Sequence, residues 1–241
     1  MSTISLEVCV DNLVSLQTAA NAGVDRIELC SALELGGLTP SAGFMMAAAE
    51  IAVPVHALIR PRSGDFDYSR DEVEQMIDDV QACREVGLAG VVIGAGAGGW
   101  LDETSMEALV EAAGGLSITL HRVFDLVDDK VLAIDIAADL GIARILTSGG
   151  ASSALAGAEE IRLCVEHAQD RLSVMAGGGI NAGNVATIVE QTGVRDVHGS
   201  FSQATRHYEP AVPGLGFSAG ESLFATDHDA IRAVRDALNS R

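Results

Sequence analysis

Two short stretches place a carboxylate and a thiol on one side of an extended chain. In LEVCV (6–10), Glu7 and Cys9 alternate with Leu6, Val8 and Val10; in RIELC (26–30), Arg26, Glu28 and Cys30 alternate with Ile27 and Leu29. A period of two is that of a β-strand, so the apolar set faces a core and the polar set faces elsewhere. Chemistry-bearing residues cluster similarly further on. His56 and Arg60 precede Arg62 and Asp65, and His121 and Arg122 precede Asp125. Glu7, Glu28, His121 and Asp125 are the candidate general acids and bases. Arg60, Arg62 and Arg122 suit a planar carboxylate or phosphate group. The loops TSGG (147–150), AGGGI (176–180) and HGS (198–200) offer backbone N–H groups to an anion. Thr147, Ser148, Gly177, Gly178, Gly179, His198 and Ser200 therefore join the candidate anion-binding set. Taken singly, each residue reads as ordinary structure: a tight turn, a packed thiol, half of an ion pair. The set collects at one end of most predicted strands, which favours a pocket.

The elements that must position these residues alternate in type. Strand-like segments fall at 4–10, 25–30, 54–60, 90–94, 117–122, 144–148, 172–176 and 195–199; helical segments lie at 12–22, 41–51, 70–86, 103–113, 128–140, 154–168, 183–192 and 227–238. The third helix shows its boundaries most clearly. Ser69 caps it, Asp71 and Glu72 occupy its first turn, Val73, Met76, Ile77, Val80 and Cys83 share a side, and Gly87 stops it. Strands alternating with helices imply parallel pairing through right-handed crossovers. Eight repeats in 241 residues predict a closed (β/α)8 barrel forming one domain. The competing fold, an open doubly wound sheet, usually carries a Gly-rich phosphate loop after its first strand, where this chain has DNLVSL. Barrel active sites lie at the C-terminal ends of the strands, where the residues above fall. Glu7, Glu28, His56, Thr119, His121 and His198 share the inward parity. A buried, unpaired carboxylate costs roughly several kcal/mol, so Arg60, Arg62 and the histidines are its expected partners. The connection 199–226 is the longest and reads as a lid, an interface or a disordered loop.

Composition narrows the function classes. Acidic residues number 34 against 15 basic ones, a net charge of −19. That balance argues against nucleic acid and anionic membranes as partners. The four cysteines (9, 30, 83 and 164) form no CxxC pair and no disulfide framework. Cys83 and Cys164 fall in helices and read as buried apolar packing. The start of the chain shows no signal-peptide pattern, and no apolar run reaches the ~20 residues of a spanning helix. A reducing cytoplasm is the expected setting. A Schiff-base mechanism would need a strand-end lysine, and Lys130, the single lysine, opens a helix. G-x-S-x-G and H-E-x-x-H are absent. A divalent-metal site using Glu7, Glu28 and His56 is conceivable, although no ligand spacing demands it.

Along most of the chain the blocks LEVCV, RIELC, GGLTPS (36–41), IRPRSGDFDYS (59–69), HRVFD (121–125), ARILTSG (143–149), VMAGGGI (174–180) and VHGS (197–200) resemble the copper homeostasis protein CutC family. Ser63 departs from the Gly common at that position. The resemblance implies a cytoplasmic (β/α)8 barrel, a homo-oligomer (dimer or tetramer), and a role in copper handling. It further implies copper(I) held by Cys9 and Cys30. Soft thiolates suit copper(I), and neighbouring strands lie ~4.8 Å apart, close enough to bring two strand-end cysteines together. Glu7 and Glu28 are hard ligands and give copper(I) no help. A second reading therefore stays open: a barrel enzyme acting on a small phosphorylated or carboxylated substrate in the same pocket. A scaffold protein with an apolar patch on its outer helices is a third.

Overall fold

The computed structural model describes residues 4–218 and 220–240. Eight strands form a closed barrel: β1 Ser5–Val10, β2 Arg26–Leu29, β3 Val55–Leu58, β4 Gly90–Ile93, β5 Ser117–Leu120, β6 Arg144–Thr147, β7 Ser173–Gly177 and β8 Asp196–Gly199. The helices following them are α1 Leu13–Asn21, α2 Ala42–Ala49, α3 Arg70–Val86, α4 Glu103–Ala113, α5 Lys130–Asp139, α6 Ala158–Ala168, α7 Val185–Thr192 and α8 His228–Asn239. All eight strand pairs are parallel, and β1 closes on β8 as well as on β2. That closure excludes the open sheet.

Alternation along the strands divides the interior in two. Leu6, Val8 and Val10, with Ile27, Leu29, Ala57 and Ile59, face outward into the main core beneath the helices. Helix α3 shows why a helix forms there. Ser69 and Glu72 close a reciprocal capping box, Met76, Val80 and Cys83 are buried, and Gly87 ends the helix at φ 84°. The inward positions are largely polar, where a barrel of this kind is usually filled with branched apolar residues. Glycines in and just after β4 make room for rings: a Cβ on Gly90 would lie 2.6 Å from the His56 ring, and one on Gly94 2.5 Å from that of His121. Ser63 needs no special backbone conformation, since the positive φ in its loop, 93°, belongs to Gly64.

The connection expected at 199–226 contains structure (its Ala219 lies outside the described residues). Ser202–His207 and Ser222–Thr226 pair as an antiparallel ribbon, with a short helix at Ala211–Gly214 between them. The Thr226 N–H donates to Ser15 Oγ at 3.0 Å, which ties the ribbon to α1. Among the described residues, no helix is long and apolar enough to cross a membrane.

Candidate active site

The floor of the site is built by register. Glu7 on β1 lies opposite Arg26 on β2 and His198 on β8, while Cys9 lies opposite Glu28. Arg26 Nε donates to Glu7 Oε2, and its Nη2 donates to Asp196 at 3.2 Å. His198 Nδ1 lies 2.7 Å from Glu7 Oε1, and His198 Nε2 lies 3.5 Å from Glu28 Oε2. Burial works against the Glu7 carboxylate, but the His198 hydrogen bond and the Arg26 charge outweigh it and hold its pKa well below the usual range. Burial likewise opposes a charge on His198, yet Cys9, Glu7 and Glu28 around it push its pKa well up. Glu28 goes the other way: burial, opposed by His198 and reinforced by Glu7, pushes its carboxyl up to about 7. Two carboxyls one strand apart thus differ in charge near neutrality, which is how a site assigns an acid and a base.

Cys9 Sγ, a Glu28 oxygen and a His198 nitrogen all lie within 4.8 Å of one another. Burial raises both thiols of the site; Cys30, with Glu28 also beside it, stands well above the ordinary thiol range. Cys9 and Cys30 share a small apolar cluster with Leu58 and Val92 inside the barrel.

Above this floor opens a cavity of about 790 Å³ at the C-terminal mouth. Cys9, Glu28, Cys30 and His198 line its base. Arg60, Phe66 and His121 form one wall, Arg122, Gly178 and Gly179 another. Ser200, Ser202, Tyr208, Ser222 and Phe224 close the ribbon side, and Asp11, Asn12 and Ser15 complete the rim.

His121 and Arg60 are held from behind. His121 Nδ1 accepts the Val123 N–H at 3.1 Å, so in the neutral ring Nε2 carries the proton. Burial, with the Arg60 charge adding to it, pushes the His121 pKa down to about 3. The ring packs on Phe66 at 4.6 Å, and Arg60 stacks over the same ring at 5.1 Å. Arg60 donates to the carbonyls of Leu35 (3.0 Å), Gly37 (2.9 Å) and Gly64 (2.8 Å), pinning the loops after β2 and β3.

Other predicted site residues serve elsewhere. Arg62 turns from the cavity and clamps its own loop, pairing with Asp65 at 2.9 Å and Glu72 at 2.5 Å. Thr147 and Ser148 are fully buried. Asp125 accepts the Thr147 hydroxyl at 2.5 Å, the Ser148 N–H at 3.1 Å and the Gly150 N–H at 3.0 Å. It also pairs with Arg122 at 2.7 Å. The Asp125 carboxylate therefore takes up the donors that the TSGG loop was expected to offer an anion, Thr147 and Ser148 among them. These bonds also hold the Asp125 pKa down against burial and occupy its oxygens, so it is an organiser of the loop. Glu7 lies below the cavity lining and reaches the mouth only through His198. Gly177 packs against Leu146 and His198 under the floor. Sequence reasoning left Arg26 and Asp196 out of the site. The alternation of Arg26 with Glu28 and Cys30 was the available signal for Arg26. Tyr208 and Phe224 gave none.

The CutC family model matches residues 4–203. The family protein CutC of Rhizobium meliloti is 47% identical over 241 residues, covering 100% of this chain and 98% of its own. That of Caulobacter vibrioides is 46% identical over 238 residues, covering 96% of this chain and 97% of its own. The crystal structure of a CutC protein from Streptococcus agalactiae, described in terms of copper homeostasis, superposes with a TM-score of 0.79 at 33% identity, covering 82% of this chain and 99% of that one. Phosphoribosylanthranilate isomerase from Thermotoga maritima, at 14% identity and a TM-score of 0.59, shares the fold alone.

Proposed function

Because this chain belongs to the CutC family, we propose that the mouth cavity is the active site of a cytoplasmic member that moves a proton on a small polar substrate. The carrying observation is the convergence of Glu28, His198 and Cys9 within 4.8 Å at the base of a 790 Å³ cavity, with Glu7 bound to the far nitrogen of His198. Glu28 is the proton shuttle: its carboxylate takes a proton from carbon or hydroxyl, and its carboxyl returns it elsewhere on the same molecule. Such a transfer leaves the overall oxidation state unchanged, so its balance closes without a co-reactant. The His198 imidazolium donates to the oxygen on which charge develops. Glu7 and Arg26 position His198.

The test is incubation in D2O with a panel of small hydroxy acids, keto acids and sugar phosphates, read by mass spectrometry. At least one compound should take up deuterium or turn over with the native chain, and about 100-fold more slowly with Glu28→Gln. Uptake by no compound, or equal uptake with Glu28→Gln, overturns the reading.

The soft donors favour a second reading, copper(I) capture as cargo by Cys9 and Cys30 with His198 nearby. One thiol and an imidazole, Cys9 and His198, lie within ligand reach of each other, with Glu28 as a hard third donor; Cys30 shares the apolar cluster of Cys9 and supplies the second thiol. Both thiols must lose protons to bind it, so affinity rises with pH. An anaerobic copper(I) titration that detects one tight equivalent, lost in Cys9→Ser and in Cys30→Ser, supports this reading; weak binding indifferent to both removes it.

A further inference from the structure

Among the described residues, cations inside the barrel are, with two exceptions, matched to carboxylates. Arg26 meets Glu7 and Asp196, and His198 meets Glu7 and Glu28. Arg144, at the opposite end of the barrel from the cavity, is held by the hydroxyls of Ser117 and Thr119. Arg60 is the other exception, and it lines the cavity. It is 6% exposed, and among the described residues no carboxylate is in ion-pair contact with it. Three carbonyls orient its guanidinium, and its Nε–H has no partner among the described residues. Tyr68 beside it stays a neutral phenol, because burial raises its pKa despite the arginines nearby. A buried guanidinium without a counter-charge is costly, and dipoles alone offset it only in part.

His121, 5% exposed, is the neighbouring group with the same shortfall. The Val123 N–H fixes its Nδ1 as acceptor, and its Nε2 has no partner among the described residues. Both side chains touch Phe66, which sets their spacing. Arg60 and His121 adjoin, both are nine-tenths buried and both line one cavity; their unpaired Nε and Nε2 atoms are themselves sealed from solvent, so it is the uncompensated charge of Arg60 that acts on what the cavity holds.

We propose that Arg60 and His121 form an oxyanion subsite in the cavity wall, which takes a carboxylate or phosphate group of the substrate. Arg60 supplies the charge, its terminal nitrogens being held by the three carbonyls, and His121 supplies a neutral N–H donor that brings no second charge. Arg60 follows β3, the neighbour of the strand that carries Glu28, and both line the cavity, so the substrate is a small molecule whose acidic group sits close to its reacting position. This deepens the acid–base reading, and rests on it only for the identification of the bound molecule as substrate.

Calorimetric titration of the full chain with succinate and with inorganic phosphate, at ionic strength matched with chloride, tests the subsite. Saturable binding of either anion is expected, at least 10-fold weaker in Arg60→Gln and unchanged in Arg62→Gln. Succinate alone assigns a carboxylate, and phosphate alone a phosphate. Arg60 also holds two loops, so Arg60→Gln requires a check of fold. If it does not fold, ¹⁵N spectra of the native chain decide: the Arg60 Nε and His121 Nε2 signals must move on adding the anion. Binding of neither anion, binding indifferent to Arg60→Gln, or unmoved ¹⁵N signals overturns the proposal. Glu28→Gln should bind the anion within twofold of native; if it does and still turns substrate over at the native rate, the acid–base reading fails and the subsite stands.

Discussion

His56 and His121 stay uncharged in the folded chain. Burial, more than the charges around them, lowers each from 6.5 to about 3. Between those values the unfolded chain binds more protons, so each ring withdraws about 1.4 kcal/mol of stability per unit as pH falls. Glu28 acts oppositely: raised to about 7, it binds its proton in the folded chain first and gains stability over part of that range. Two rings against one carboxyl leave a net loss of about 1 kcal/mol between pH 6 and pH 5. Urea unfolding at the two pH values should show it, and His56→Gln should flatten the profile; an equally steep profile in that variant would remove His56 from the account. At this scale the sequence was legible by parity. Glu7, Glu28, His56, Thr119, His121 and His198 are all buried on the inner side. Their partners were less so, because Glu7 is tied to residues 19 and 191 positions away, distances that period-two reasoning does not span.

At the scale of elements, the polar groups after β5 and β6 act as one fastening. Asp125 joins the turn after β5 to the loop after β6 through Thr147, Ser148 and Gly150. Replacing its carboxylate by an amide withdraws one acceptor oxygen and leaves buried donors short. Asp125→Asn should cost about 1–3 kcal/mol and speed amide exchange at Ser148 and Gly150, with little change at Cys9 or Glu28. Unaltered exchange at Gly150 would contradict the fastening. The eight strands and eight helices were readable because period, caps and C-terminal glycines agreed locally. The ribbon at 202–226 was not. SQATRH carries no apolar alternation, every residue of it is exposed, and its partner strand lies beyond a Gly- and Pro-rich interval. Likewise Thr147, Ser148 and Arg62 had the right types at the right ends, but what their side chains reach is set by loops whose path no short-range pattern encodes.

Across the whole molecule, charge is segregated. Of 15 basic residues, Arg26, Arg60 and Arg144 are drawn into the barrel, and the carboxylates Glu7, Glu28 and Asp196 go in with them, so the outer surface keeps the strongly acidic balance of the chain. An anion entering the mouth leaves a repelling surface for a wall that carries Arg60 and Arg122. In the proposed subsite Arg60 is, among the described residues, the unpaired cation, and Glu28, a carboxyl of raised pKa, lines the same cavity. The ionisation of Glu28 is the point on which this arrangement turns. A ¹³C-carboxyl titration of the native chain and of Glu28→Gln measures it. The account predicts one glutamate titrating near pH 7, missing from the variant; every glutamate titrating below about pH 5, as unperturbed carboxyls do, would contradict it.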